Sequence, residues 1–127
     1  DPGPRPDVLR ESLKHLDEIM RYADEMELYG LKADALIARA SLIERQGETR
    51  AAGEAAIAAL SLANLHGQRL RTITALTVLG RVVAGRTGYR DQAVRILRNA
   101  RTMAEPIGYQ LVLDKVDRQL IQLNSSA

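Results

Sequence analysis

A stripe of small residues returns in this chain every forty to forty-one positions, and that recurrence restricts the fold more than any other feature. In residues 47–65, GETRAAGEAAIAALSLANL, it consists of Ala52, Ala56, Ala59 and Ala63, spaced 4, 3 and 4 apart. That spacing lines one face of a helix. Alanine on such a face lets a neighbouring backbone come close. The stripe reappears forty-one residues later as Ala93, Leu97, Ala100 and Ala104, and more faintly forty residues earlier as Ser12, Leu16, Ile19 and Ala23. A second stripe, Ala33, Leu36, Ala40 and Ile43, returns after forty residues as Ile73, Leu76, Gly80 and Val83. Two helix types therefore alternate. Type A comprises the second, fourth and sixth helices, and type B the first, third and fifth. Each pair leaves an apolar side that only the next pair covers, so the expected fold is an all-α solenoid of about six helices.

Composition supports this. A chain of 127 residues is long enough for one domain with its own core. Hydrophobic residues make up 46% and charged residues 27%, as in soluble globular chains, while aromatics reach only 3%. A core of Leu, Ile, Val and Ala suits helix-on-helix packing better than a β-sandwich, which favours aromatic and β-branched residues. There is no cysteine, which excludes disulfides and thiolate ligands and fits a reducing compartment, so a cytoplasmic location is expected. No uncharged apolar run approaches the roughly 18 residues that span a bilayer, and no signal-peptide pattern is present. The chain opens on Asp1 rather than Met, and we expect a segment of a longer protein.

In order, residues 1–6, DPGPRP, read as a leader, 7–123 as the repeat domain and 124–127 as a tail. The first helix is expected over about 7–29, capped by Asp7 and ended by Gly30, with Leu9, Leu13, Leu16, Ile19 or Met20, and Ala23 facing inward. Its outer face offers Lys14–Glu18, Asp17–Arg21 and Arg21–Glu25 at i,i+4, each worth about 0.3 kcal/mol. The next helices are expected over about 31–46, from Thr49 as N-cap to 65, 68–84, 90–105 and 109–123. The sixth turns Val112 or Leu113, Val116, Leu120 and Leu123 inward. With Leu111 and Ile121 it holds more apolar residues than one buried face requires, and self-association through it is expected.

These residues resemble the tetratricopeptide repeat (TPR). Leu36, Ala40, Ile43, Gly47, Ala52, Ala56 and Ala59 follow that family's pattern, as do Leu76, Leu79, Gly80, Val83, Gly88, Ala93, Leu97 and Ala100, with one extra residue before Gly88. The period is 40–41 rather than 34, the family's aromatic positions are absent, and only Pro106 matches its closing proline. Longer helices and a glycine-closed second helix are similar to the TPR variant of large bacterial signalling regulators, including LuxR-family ATP-dependent activators of the maltose-regulator type. The resemblance implies a right-handed solenoid and a non-enzymatic scaffold or regulatory domain. Its protein or peptide ligand would lie on the concave side of the A helices. The groove positions it implies are Asp34, Ile37, Ser41, Thr74, Thr77 and Arg81; the sixth helix aligns ambiguously by one residue.

Catalytic signals are weak. The segment from Gly80 to Thr87 is near a P-loop, but its first glycine lies inside a helix pattern and Arg86 replaces the lysine, so carbonyls rather than N–H groups would face a phosphate. His15 and His66 have no companion at metal-ligand spacing; His66 fits a helix C-terminus. No cofactor is expected. Asn124-Ser125-Ser126 matches a glycosylation acceptor in a chain without a secretory signal, and is discounted. Charge is more informative. Residues 7–34 hold eight acids and four bases, whereas 69–101 hold eight arginines and only Asp91. Arg90, Arg95, Arg98 and Arg101 form a basic face, with Arg95, Arg98 and Arg101 crossing the outside of the fifth helix. It is either a solvated surface or a dock for an acidic protein partner, with nucleic acid the alternative. Without interleaved aromatics, single-strand stacking is not expected.

Overall fold

The computed structural model describes residues 5–125. They form α1 (Pro6–Glu25), α2 (Tyr29–Arg45), α3 (Thr49–Leu65), α4 (Arg69–Ala84), α5 (Arg90–Ala104) and α6 (Gln110–Ser125). A 3-10 turn, Glu105–Ile107, precedes α6, and there is no strand among the described residues. None of these helices is long and apolar enough to cross a membrane.

The helices stop at regular intervals. Backbone φ is positive at Glu27, Gly47, Gly67, Gly88 and Gly108, which are 20, 20, 21 and 20 residues apart. At four of these turns the next residue's N–H donates back to the carbonyl five residues earlier: Leu28 to Ala23, Glu48 to Ile43, Gln68 to Ala63 and Tyr109 to Ala104. This Schellman closure needs a left-handed residue, which glycine adopts without a Cβ clash. All four acceptor residues are buried, so each closure is locked by the core beneath it. The α4–α5 turn carries the extra residue and closes differently, with Gly85 and Arg86 donating to Val82 and Val83.

Several expected boundaries move. α1 ends at Glu25, and its left-handed residue is Glu27 with φ 55°. Gly30 lies in the first turn of α2 instead. Arg5 occupies the α1 cap, with Pro6 and Asp7 in its first turn. Glu48 caps α3, and Thr49 is already helical. Asn124 and Ser125 belong to α6. Most of the expected leader, and the last two residues of the expected tail, lie outside the described residues.

The expected stripes become the core. Ala52, Ala56, Ala59 and Ala63 of α3 are all fully buried, as are Ala93, Leu97, Ala100 and Ala104 of α5. One cluster joins Ala40 and Ile43 of α2, Ala52, Ala55 and Ala56 of α3, and Val78, Leu79 and Val82 of α4. Another joins Ile73 and Leu76 of α4 to Leu97, Ala100, Val112 and Val116. α4 takes part in both, which makes it the central helix. The fainter α1 stripe is only partly covered: Ile19 is exposed, and Met20 packs inward in its place.

On α6, Val112 and Val116 are buried, and Leu113, Leu120 and Leu123 pack partly against the same cluster. The expected apolar surplus reduces to Leu111 and Ile121, with exposed Asp114, Lys115 and Arg118 between them along the helix.

Candidate functional site

The face where α2 meets α4 holds most of the groove positions. On α2, Asp34, Ile37, Ser41 and Glu44 follow a 3–4–3 spacing, and on α4 Arg71, Thr74, Val78 and Arg81 do the same. Arg71 binds Asp34 through two bonds, Nε to Oδ1 at 2.9 Å and Nη2 to Oδ2 at 3.0 Å. Arg81 donates from Nε to Glu44 Oε1 at 2.9 Å and from Nη2 to Ser41 Oγ at 3.1 Å. Both ion pairs link residues 37 apart. α2 and α4 must therefore run in the same direction, fastened at two points ten residues apart. The bidentate fork suits arginine and not lysine.

Gly30 leaves room for the first fastening. A Cβ there would lie 2.8 Å from the Arg71 guanidinium and 3.0 Å from Gln68 Oε1. Gln68 in turn accepts from Arg71 Nη1 at 2.6 Å. The hydrogen bond to Asp34 raises the Arg71 pKa above its ordinary value; burial opposes this and the Asp34 charge adds to it.

Asp34, Ser41 and Arg81 thus lie on this face already engaged within the chain, Asp34 by Arg71 and Ser41 by Arg81. Ile37 is half-buried against two core clusters. Thr74 is half-exposed, with its hydroxyl donating to the Leu70 carbonyl. Thr77 is buried and donates to the Ile73 carbonyl, so it presents no surface to a ligand.

The left-handed residues also settle how α6 aligns. Gly67 precedes α4 and Gly108 precedes α6, a shift of 41. Thr74, Thr77 and Arg81 therefore correspond to Lys115, Arg118 and Gln122. Lys115 and Arg118 are exposed. Lys115 has no ion-pair partner among the described residues, while Arg118 donates to the Asp114 carbonyl at 3.4 Å. Sequence reasoning left these two unassigned; the signal that identifies them is the extra residue in the α4–α5 turn.

The basic face divides. Arg101 is half-buried and turns towards α6, binding Asp117 at 2.8 Å and Glu105 one turn on. Arg90 donates to the Leu123 carbonyl at 3.0 Å and to Asn124 Oδ1 at 3.3 Å. Arg95 and Arg98 remain exposed beside a shallow cleft of about 320 Å³ with Asp91 and Val94, and neither has an ion-pair partner among the described residues. The outer basic face is therefore two arginines rather than three. The i,i+4 pairs expected on α1 are replaced by bonds to the next helix, Asp17 to Arg39 and Asp24 to Lys32.

The remaining sequence candidates are structural in their surroundings. Gly80 lies within α4, and the N–H groups of Gly85 and Arg86 are bonded at the helix's carbonyl end. His66 stacks on Tyr29 with ring centres 3.7 Å apart. His15 lies 3.6 Å from Glu11 and 3.9 Å from Glu18. No group of three or more His, Cys, Asp or Glu among the described residues is arranged to hold a metal ion. No family model, curated protein or solved structure matches this chain.

Proposed function

We propose that this chain is a TPR-like, right-handed α-solenoid of antiparallel helix pairs that binds a protein or peptide, without catalysis, inside a larger bacterial signalling or transcription-regulating protein. The observation that carries this reading is an asymmetry of contact. α2 touches α4 and α4 touches α6, whereas no comparable contact joins α1 to α3 or α3 to α5. A stack of pairs whose even helices crowd together curves towards them and forms its groove there. Along that face the acids of α2 are already paired with arginines of α4, while α6 offers Lys115 and Arg118. An acidic ligand segment would lie towards α6.

Site-specific photocrosslinking tests the proposal. A photoreactive residue at Thr74 of the full-length protein should capture a defined partner that one at exposed Asn99 on α5 does not. The charge reversals Lys115→Glu and Arg118→Glu should together remove that product. Equal capture from both positions, or capture unaffected by the reversals, counts against the groove.

Nucleic acid is the second reading, favoured by the two unpaired arginines on α5. Of the eight arginines from Arg69 to Arg101, Arg71, Arg81, Arg90 and Arg101 are engaged within the chain, which leaves Arg69, Arg86, Arg95 and Arg98 for phosphates. If Arg95 and Arg98 alone meet phosphates, log affinity against log salt should have a slope of only about −1.8.

A further inference from the structure

α1 carries two apolar stripes, and only one is covered. Leu9, Leu13, Leu16, Met20 and Ala23 are buried or half-buried towards the core. Beside them run Val8, Ser12, His15, Ile19, Tyr22 and Met26, spaced 4, 3, 4, 3 and 4 apart. Val8, Ile19, Tyr22 and Met26 are all exposed, between 37% and 57%. His15, Glu18, Ile19 and Tyr22, with Leu31 from α2, line a cleft of about 300 Å³.

The same face of α3 shows what this surface lacks. Forty residues on, His15, Ile19 and Tyr22 correspond to Ala55, Ala59 and Leu62. Ala55 and Ala59 are buried, and Ala59 and Leu62 pack with Leu36 of the preceding helix. Among the described residues, no helix stands to α1 as α2 stands to α3.

Charge specifies the missing element further. Glu11, Glu18 and Glu25 recur every seven residues along the open edge of the stripe. Among the described residues Glu11 and Glu18 form ion pairs with His15 alone, and Glu25 has no ion-pair partner. A 4–3 stripe with four exposed apolar residues and a heptad row of glutamates beside it, with Arg10, Lys14 and Arg21 beyond that row, has the pattern of one half of a coiled-coil interface, in which the flanking charges choose the partner. A second α1 would set one glutamate row against another, so self-pairing is opposed.

We propose that this stripe docks an amphipathic helix of a partner, with aliphatic residues at 3–4 spacing and Lys or Arg at every seventh position on the flank facing Glu11, Glu18 and Glu25. The site is independent of the α2–α4–α6 face.

Fluorescence anisotropy of the 127-residue chain against three labelled peptides of about 21 residues, or three heptads, tests it. One peptide carries the aliphatic stripe with a Lys flank, one the same stripe with a Glu flank, and one a scrambled Lys-flanked sequence. The Lys-flanked helix should bind at least about tenfold more tightly than the Glu-flanked one. The triple change Glu11→Lys, Glu18→Lys and Glu25→Lys should reverse that preference. Tyr22→Asp should abolish binding while circular dichroism stays helical. No binding by any peptide, equal binding of the scrambled peptide, or a preference indifferent to the triple change overturns the proposal. So does a dimer of the chain itself that dissociates on Tyr22→Asp.

Discussion

Helices α4 and α6 hold corresponding positions in the forty-residue period, yet they end their outer faces differently. α4 presents Ile73, Leu76 and Gly80 to α5, and Gly80 sits so close that an added Cβ would lie 2.6 Å from Leu97 Cδ2. The shift of 41 carries those positions to Asp114, Asp117 and Ile121 of α6. Asp114 is exposed, Asp117 is bound by Arg101, and Ile121 is 65% exposed. At two of the three positions α6 thus carries a carboxylate where α4 buries an aliphatic side chain. The α6 end closes with carboxylates, while the α1 end keeps an apolar stripe.

The largest effect should come from the residue that depends most on that cover. Leu97→Ala empties a fully buried site and should cost about 3–4 kcal/mol in urea unfolding. Leu111→Ala on α6 starts 59% exposed and should stay within about 0.5 kcal/mol. Similar costs at both sites would erase the contrast.

Overfilling the α4–α5 contact should be next. Gly80→Leu should destabilise by about 2–3 kcal/mol, because Leu97 has no solvent side to retreat to. Ile121→Leu, at the matching position of α6, should leave the thermal midpoint unchanged. A tolerated Gly80→Leu would mean that α5 is free to move away from α4.

The α3 seam sharpens the comparison with α1. Ala59→Leu should cost about 1–3 kcal/mol, seen as a lowered melting temperature. At the corresponding Ile19, which is already large and partly exposed, Ile19→Leu should change it little.

The smallest effects concern charge. Arg81→Met removes a half-exposed pair with Glu44 and should cost about 0.5–1 kcal/mol, less at high salt. Reversing Arg95 and Arg98 to Glu should leave both helicity and unfolding midpoint nearly unchanged. If the double reversal destabilises as much as Arg81→Met, the α5 surface is not free.

Much of the fold was legible in the sequence because helix periodicity and glycine stops are local. The stripes of α2, α3 and α5 are buried as their spacing requires, and Gly47, Gly67, Gly88 and Gly108 all take the left-handed conformation. The first turn departs from this pattern for a local reason as well. Glu27 occupies the left-handed position, at about 1–2 kcal/mol for a residue with a Cβ, and the closure onto Ala23 holds it there. Gly30 is placed in the sequence like a stop, but it lies within α2 and leaves room for Arg71.

By itself the sequence determined six helices, their inward faces and their period, since each depends on residues a few positions apart. Only the tertiary structure decided which acid meets which arginine, because Asp34 and Arg71 are separated by a whole intervening helix and charge pattern alone does not choose partners across it. It also decided that Thr77 turns inward and that Arg101 leaves the outer face. Periodicity assigns a residue to a side of its own helix; what stands on that side depends on how neighbouring helices approach, through contacts that no local spacing encodes.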